Sequence, residues 1–402
     1  MTEVSPKIIV FSTLFPHPGS PRAGVFIRER MFRVGKHLPI VVIAPQPWFP
    51  FQSLIRIWRP YFRPSAPAFE IQDGVEVYHP RFLCIPGVLK QFDGLFMALG
   101  SLLTLRRLRS RFEFNLLDAH FAYPDGYGAT LLGKWFKVPV TITLRGTEVP
   151  LSRFPHRRKR MIRAIDRADK VFSVSGSLKD YVQSLGASGD KIRVVGNGVD
   201  TTKFYPVDRM SARAKLGLSN DALVMISVGA LVDRKGFHRI IELLPELTAK
   251  FPKLIYLIVG EGGPEGDISR QLKEQVETLD LVDKVKFLGA YSSEQLKIPL
   301  SAANLFTLAT ANEGWANVLL EAMACGLPVV TTDVGGNKEV VNQTELGTVV
   351  PFGEPKMLLR ALVEALSKTW DHQHIRRYAE ANSWDSRVNV LQAEFNSLVD
   401  RI

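Results

Sequence analysis

Cysteine is scarce in this chain of 402 residues, which has only Cys84 and Cys325. Their wide separation matches neither a disulfide framework nor the ligand spacing of a zinc site. Long hydrophobic runs are also lacking. The longest weakly charged apolar stretch, residues 94–105, falls well short of the ~20 residues that a helix needs to span a bilayer. These absences exclude a disulfide-stapled secreted domain and a transmembrane helix, and they favour a reducing compartment.

A secretory signal is not expected either, because the polar start of the chain passes directly into a strand-like run at residues 7–11. We therefore expect a cytoplasmic protein. Hydrophobic residues make up 46% of the chain and charged residues 23%, which is typical of a globular protein and not of a disordered one. The length predicts two large domains.

Charge is unevenly distributed around a formal net value of +11. Residues 1–200 contain 29 Lys and Arg against 15 Asp and Glu, whereas acidic residues slightly outnumber basic ones afterwards. A basic cluster lies at residues 153–167, and a second one at 106–111. This asymmetry indicates that the first half faces an anionic partner. A generally basic, solvated face is the alternative interpretation, and no recognised nucleic-acid-binding module is present.

Short β-branched runs alternate with helical patterns along both halves, which predicts parallel sheets built from βαβ units. The fold class is therefore α/β, with two Rossmann-like, doubly wound domains. Turn-forming residues at 196–206 place the hinge, so that the predicted domains are residues 1–205 and 206–382. Predicted strands are 7–11, 40–44, 116–119, 140–144, 171–174, 192–195, 223–228, 254–259, 285–288, 305–308, 328–332 and 348–350.

Residues 45–67 contain six prolines and many aromatic and basic side chains. We predict an irregular excursion from the sheet there. Its interfacial aromatics Trp48, Phe51 and Trp58, together with the basic clusters, suggest reversible attachment to an anionic membrane surface, because each cation near such a surface can contribute about 1 kcal/mol.

Two carboxylates frame a predicted helix start in residues 312–330 (NEGWANVLLEAMACGLPVV). Glu313 follows the strand at 305–308, Glu321 lies about one turn inside the helix, and Gly326 ends it. Ligands bind beyond the carboxyl ends of parallel strands, so both carboxylates could hold one polar ligand. Taken alone, the more ordinary interpretation is that Glu321 lies on a solvated helix face and that Glu313 merely favours the start of the helix.

Segment 312–330 resembles the glutamate, seven residues, glutamate signature of retaining GT-B glycosyltransferases of family four, also called glycosyl transferases group 1. The resemblance extends over nearly the whole chain, in family order. Further matching segments are 118–126 (DAHFAYPDG), 143–148 (TLRGTE), 197–200 (NGVD), 227–236 (SVGALVDRKG), 258–263 (IVGEGG) and 285–289 (VKFLG).

The resemblance implies a GT-B fold whose two domains face a central cleft, with a nucleotide diphosphate sugar on the second domain and an acceptor on the first. It also implies that the C-terminal helix, residues 383–402, packs back on the first domain. Arg234 and Lys235 match the diphosphate-binding loop, and fixed cations there would stabilise the charge that develops on the leaving group. Many members carry arginine where this chain has Ala230, so either Arg234 or backbone amides supply the missing charge.

The implied roles divide as follows. Glu313 holds hydroxyls of the donor sugar, Glu321 accepts hydrogen bonds from the ribose, and His120 bonds the donor sugar or the acceptor. Reaction by front-face attack with retention gives Glu313 a positioning role. The predicted catalytic residues are Glu313, His120, Arg234 and Lys235. The predicted donor-binding residues are Glu321, Gly24, Gly229, Gly314, Trp315, Ala316, Asn317, Val318 and Leu319. Weaker candidates for acceptor contact are Arg145 and Glu148.

No metal or cofactor is expected, since the chain has no Asp-x-Asp triplet and no further ligands accompany His372 and His374. We expect a retaining, metal-independent hexosyltransferase of cell-surface glycan synthesis, acting on a lipid-linked or polysaccharide acceptor, peripheral on the inner face of the cytoplasmic membrane. The alternatives are a nucleotide-sugar epimerase or phosphorylase of the same fold, or a non-catalytic nucleotide- or glycan-binding relative.

Overall fold

The computed structural model describes residues 5–21, 23–58, 62–263 and 265–400. Its contacts divide the chain into two compact units, residues 1–197 with 387–402 and residues 198–386. This division falls eight residues before the predicted boundary, because Val199 and Phe204 pack in the hydrophobic core of the second unit.

The first unit contains a mainly parallel sheet with the strand order β10-β9-β8-β7-β1-β2-β5-β4 over the described residues. Only β4 and β5 pair in antiparallel fashion. The central strands are buried along their whole length, as expected for a sheet covered on both faces. The strands are β1 (Ile8–Phe11), β2 (Ile40–Ile43), β3 (Gln46–Trp48), β4 (Phe69–Gln72), β5 (Val75–Tyr78), β6 (Arg81–Leu83), β7 (Leu116–His120), β8 (Val140–Leu144), β9 (Lys170–Ser173) and β10 (Ile192–Val194).

Helices connect most of these strands, and those that pack on the sheet turn an apolar stripe to it. In α1, for example, Ile27, Met31 and Val34 are buried at helical spacing. The helices of this unit are α1 (Val25–Val34), α2 (Gln52–Trp58), α3 (Asp93–Phe112), α4 (Tyr127–Phe136), α5 (Glu148–Ser152), α6 (Pro155–Arg167) and α7 (Gly176–Ser184).

The predicted irregular excursion at residues 45–67 is more regular than expected. It contains β3, which pairs with β6 in a separate two-stranded sheet, and the short helix α2. Pro47 is accommodated because this sheet has only edge strands. Arg59 and Tyr61, which belong to the same basic and aromatic stretch, lie outside the described residues.

The second unit contains a wholly parallel sheet with the order β13-β12-β11-β14-β15-β16 in the part of the chain described. The chain order reverses at β11, and the loops after β11 and β14 leave the sheet there at the carboxyl ends of neighbouring strands. The strands are β11 (Leu223–Val228), β12 (Leu254–Val259), β13 (Val285–Gly289), β14 (Leu305–Leu308), β15 (Val329–Asp333) and β16 (Gly347–Pro351).

The core of the second unit lies on both faces of this sheet, in two clusters of buried apolar side chains. The helices are α8 (Arg209–Lys215), α9 (Phe237–Ile241), α10 (Leu244–Lys250), α11 (Ser269–Thr278), α12 (Lys297–Ala302), α13 (Asn317–Ala324), α14 (Asn337–Val340), α15 (Pro355–Ser367) and α16 (His372–Ala381). The two predicted Rossmann-like folds are thus confirmed.

The last helix, α17 (Trp384–Val399), contributes most of its length to the first unit. Val388, Leu391 and Phe395 lie on one helical face and join that unit's core, where the Phe395 ring packs edge-on against Phe172 at 5.9 Å. Glu394 forms ion pairs with residues of β9 and β10. Within the described residues, no helix combines the length and apolar character needed to cross a membrane.

Candidate active site

Glu313 lies in the loop between β14 and α13, with its side chain only 9% exposed. Its Oε1 atom accepts hydrogen bonds from three side chains: Lys235 Nζ at 2.6 Å, Arg234 Nη1 at 3.2 Å and Thr310 Oγ1 at 3.2 Å. Charge-assisted donors and burial fix the orientation of this carboxylate. The structure thus brings together three of the four predicted catalytic residues.

The basic pair is placed by a short turn after β11, at residues 233–235. The Arg234 carbonyl oxygen accepts a hydrogen bond from the amide of Ala311 at 2.8 Å. Gly236 follows with a φ of +77°, and a Cβ there would lie 2.0 Å from the Ala309 carbonyl oxygen. The loops after β11 and β14 are therefore held together at backbone level, which only glycine permits at position 236.

A third loop supports Glu313 from the other side. Gly335, between β15 and α14, has a φ of +53°, and a Cβ on it would lie 1.6 Å from the Glu313 carbonyl oxygen. The next amide, of Gly336, donates a hydrogen bond to the Gly314 carbonyl at 3.2 Å. The position of Glu313 thus depends on backbone packing against residues 335–336.

Glu265 is a fourth charged residue at this site, and it was not predicted from the sequence. Its carboxylate accepts two hydrogen bonds from Arg234, Nε to Oε2 at 2.9 Å and Nη2 to Oε1 at 2.7 Å. This pairing raises the pKa of Arg234 and lowers the pKa of Glu265. Glu265 lies in a glycine-rich loop after β12. The strand pattern predicts that this loop faces a ligand, but it does not indicate which residue of the loop would contribute a side chain.

Helix α13 begins at Asn317, as predicted, after an N-cap residue, Ala316, whose side chain offers no hydrogen bond. The first amides of a helix lack intrahelical acceptors and suit an anionic or hydroxyl-rich ligand. Glu321 is half-buried on this helix and lies near Cys325. Burial of the Cys325 thiol, with a smaller contribution from the Glu321 charge, raises the pKa of the thiol to about 12.

The other predicted donor-binding positions differ in what they can offer. Leu319 is fully buried, so only its backbone is available to a ligand, whereas Val318 is half-buried against the core. Trp315 is half-buried with an indole Nε1 that has no hydrogen-bond partner. Gly229 directly follows β11, and the methylenes of Lys235 lie 3.5 Å from where a Cβ on Gly229 would be.

In the first unit, His120 ends β7 and is completely buried. Its Nδ1 lies 3.2 Å from both Nε and Nη2 of Arg145, so Nδ1 acts as the acceptor and the ring proton resides on Nε2. Burial, the Arg145 charge and the Arg30 charge hold the pKa of His120 well below its ordinary value. Nε2 lies 3.4 Å from Asp118 Oδ2 but lacks hydrogen-bond alignment. His120 is therefore a neutral donor through Nε2.

Two buried acids accompany His120. Burial raises the pKa of Asp118 to about 6, although hydrogen bonding from Thr141 and nearby arginines oppose the shift. Burial also raises the pKa of Asp125 to about 7, although hydrogen bonds from Thr13 act in the opposite direction and lower it. Arg30 lies beside Asp118, and none of its guanidinium nitrogens has a hydrogen-bond partner in the structure. These residues could not be predicted from the sequence, because burial of charge is not visible in it.

Arg145 and Glu148 are buried, which argues against direct contact with an acceptor, although that role stays a prediction. Arg145 binds His120 and donates from Nη1 to Asn197 Oδ1 at 3.2 Å. The Glu148 carboxylate accepts from three backbone amides, those of Ala122, Arg145 and Gly146. Both residues thus organise the loops around His120.

Gly24 has a local structural reason to be glycine. It caps α1 in a left-handed conformation, and a Cβ there would lie 2.2 Å from the Leu14 carbonyl oxygen. Its predicted contact with the donor stays a prediction. Among the described residues, no group of His, Cys, Asp and Glu is arranged to hold a metal ion.

Comparison with known proteins extends this description. Two family models match the chain: Glycosyltransferase Family 4 over residues 61–203 and Glycosyl transferases group 1 over residues 208–382. The putative teichuronic acid biosynthesis glycosyltransferase TuaC of Bacillus subtilis (strain 168) is 28% identical over 400 residues, covering 97% of this chain and 95% of that protein. A D-inositol 3-phosphate glycosyltransferase of Rhodococcus jostii (strain RHA1) is 31% identical, with 69% of this chain and 65% of that protein covered.

Solved structures share the fold. Sucrose-phosphate synthase from Thermosynechococcus elongatus superposes with a TM-score of 0.78 at 20% identity, covering 99% of this chain and 100% of that one. Anabaena Alr3699/HepE in complex with UDP gives a TM-score of 0.74 at 18% identity, covering 98% and 100%. Fold, loops and family matches together define a glycosyltransferase of the GT-B fold. Within that class, the chain belongs to glycosyltransferase family four, as the motifs predicted.

Proposed function

We propose that this protein is a retaining, metal-independent hexosyltransferase that uses a nucleotide diphosphate sugar to extend a glycan. The observation that carries the proposal is the cluster of Glu313, Arg234 and Lys235 on the loops after β11 and β14. Two fixed cations there can stabilise the charge that grows on a diphosphate leaving group, which is the task that metals perform in other transferases. Solved relatives of the fold bind UDP or UDP-glucose, which supports a donor of this class.

The geometry of Glu313 supports retention without a covalent enzyme intermediate. Its Oε1 is already bound by two cations and a hydroxyl, so this oxygen orients and stabilises. In the proposed site the carboxylate fixes sugar hydroxyls, the amides of residues 314–319 line the sugar and phosphates, and Glu321 accepts from the ribose. His120, held neutral with its proton on Nε2, donates to a hydroxyl of the donor sugar or the acceptor.

An activity assay tests the proposal. For a transferase, nucleotide release should require both donor and acceptor. An epimerase would act without an acceptor, and a non-catalytic binding protein would release no nucleotide from the donor. Glu313→Gln should lower transfer by about 100-fold or more while nucleotide binding persists, since it removes charge from a preorganised site. Unchanged transfer in Glu313→Gln would remove this residue from the mechanism.

We further propose a lipid-linked acceptor, reached at an anionic membrane face. Phe51, Ile57 and Trp58 at helix α2 are 80%, 72% and 87% exposed, an unusual apolar surface on a water-soluble fold. The basic helix α6 belongs to the same unit, and Arg63 next to α2 and Arg157 on α6 both act electrostatically on the Asp93 carboxyl. Apolar side chains beside clustered cations are the combination that anionic bilayers bind.

Flotation with vesicles of phosphatidylglycerol and phosphatidylcholine tests this surface. Wild-type protein should float at low salt, and Ile57→Asp should largely abolish flotation. Val282→Asp is the matched control, because Val282 is 63% exposed but lies in the second unit. This substitution should leave flotation unchanged. If wild type stays in the soluble fraction, or if both variants bind like wild type, the membrane proposal fails.

A further inference from the structure

Every nitrogen of the Arg234 guanidinium group donates a hydrogen bond in this structure. Nη1 donates to Glu313 Oε1 and to the Asn312 carbonyl oxygen at 3.1 Å, while the Nε and Nη2 edge is taken up entirely by Glu265. Because Nη1 is directed at the loop that carries Glu313, the Nε and Nη2 edge is the one that a phosphate could approach. That edge already holds a carboxylate.

We infer that Glu265 is a residue that sets the affinity for the donor: its carboxylate occupies the place on Arg234 that a diphosphate oxygen pair takes in the donor complex. The inference rests on the proposed function. A carboxylate and a phosphate each present two oxygens to the guanidinium fork, so one can replace the other on the same edge. Glu265 is therefore displaced when the nucleotide diphosphate sugar binds.

The charge balance supports displacement. Arg234 and Lys235 contribute two positive charges, and Glu265 and Glu313 contribute two negative ones, so the four side chains are neutral together. A diphosphate added to this neutral group would meet two carboxylates. Departure of one carboxylate restores a net positive site, which is what a diphosphate requires.

Exposure decides which carboxylate departs. The Glu265 side chain is 54% exposed, whereas that of Glu313 is 9% exposed and also bound by Lys235 and Thr310. Exposed ion pairs contribute little net stability, so the pair with Glu265 is the one that a ligand can replace. Glu265 also lies among glycines, with Gly263 and Gly266 joined by backbone hydrogen bonds at the base of its turn, so it can move without disturbing the sheet.

Calorimetric titration with nucleoside diphosphates tests the inference. UDP, GDP and ADP are each titrated into wild type, and the one that binds is used for the variants. Glu265→Gln should bind it about two- to five-fold more tightly, the range that corresponds to an exposed ion pair of ~0.4–1 kcal/mol. The gain should be smaller with the matching nucleoside monophosphate, because fewer phosphate oxygens compete for Arg234.

Glu274→Gln is the matched control. Glu274 pairs with Arg270 on the surface of helix α11 in the same unit, so the substitution removes the same charge without touching Arg234. Equal tightening in both variants would mean a general charge effect and would overturn the inference. Unchanged or weaker binding by Glu265→Gln would overturn it too, since Glu265 would then be holding Arg234 in place for the ligand. If wild type binds none of the three nucleotides, the proposed function fails together with the inference.

Discussion

At the scale of single residues, the first unit keeps several ionisable groups away from water around His120. Asp125 shows the consequence most directly. Its pKa of about 7 in the folded protein, raised mainly by burial, compares with an ordinary value of 3.8. Between pH 3.8 and about pH 7, the Asp125 carboxyl therefore keeps its proton in the folded state, whereas it has lost this proton in the unfolded state.

The sign of the resulting pH dependence follows from linkage. Because the folded state binds more protons, Asp125 makes the protein progressively less stable as the pH rises from about 4 to about 7, and the penalty is complete above that. Asp125→Asn removes this titration and retains an oxygen acceptor for Thr13. The melting temperature of the variant, relative to wild type, should therefore be higher at pH 8 than at pH 5. An equal difference at both pH values would show that Asp125 is not perturbed.

His120 gives a second prediction at this scale, through Arg145. Burial is the main cause of the low pKa of His120, and the Arg145 charge is the second cause. In Arg145→Met the pKa of His120 should rise, because one opposing charge is lost while burial remains. The acidic limb of the pH profile of transfer should move to higher pH, with a lower kcat because the ring is no longer held through Nδ1. Arg153→Met, an exposed neighbour that makes none of these contacts, should leave the profile unchanged. A reduced rate with an unshifted acidic limb would contradict this positioning role.

At the scale of elements, the candidate site depends on loops that touch through their backbones. Gly335→Ala places a methyl group where the Glu313 carbonyl oxygen lies, so the Glu313 loop must move. Gly353→Ala is the matched control, because Gly353 also has a positive φ, of +86°, but open space around its missing side chain. Gly353→Ala should lose about 1 kcal/mol of stability from the left-handed backbone. Gly335→Ala should lose more, because its methyl group also meets the Glu313 carbonyl oxygen, and only this variant should lose most transfer activity. Equal activity in the two variants would contradict the importance of this contact.

The sequence predicts the central elements of the fold well, for a physical reason. Strands such as β8 and β11 are short β-branched runs between helical patterns, and buried parallel strands need little else. Strands β3 to β6 and helix α2 were missed. Strands β4 and β5 form a hairpin, and its Asp73-Gly74 turn, in which both residues have a positive φ, was a usable signal. Strand β3 contains Pro47 and helix α2 carries exposed apolar residues, and both features resemble a loop.

The candidate site could be predicted in part. Glu313, Arg234 and Lys235 follow predicted strands, and the fold brings the ends of neighbouring parallel strands together. Glu265 and Thr310 could not be selected in the same way, since their importance lies in single hydrogen bonds across loops. The burial of Glu148, and hence its bonds to three amides, likewise depends on packing that no local pattern reveals.

At the scale of the whole molecule, the proposed chemistry uses charges that belong to the chain. In the proposed site Arg234 and Lys235 take the place of a divalent cation at the diphosphate, so transfer should be unaffected by removal of metals. Activity measured after dialysis against EDTA should equal that of untreated enzyme, and added Mg²⁺ or Mn²⁺ should not increase it. Loss of activity on chelation, with recovery on adding metal, would contradict this part of the proposal.

The central claim is that a nucleotide-activated sugar binds in the second unit between its basic turn and its acidic helix start. A crystal structure of the protein with UDP-glucose, or with UDP if the sugar is lost, tests this most directly. We predict phosphates on Arg234 and Lys235, the ribose at Glu321 and sugar hydroxyls at Glu313. A nucleotide bound elsewhere, with Glu313 and Glu321 both free of ligand contacts, would contradict the account.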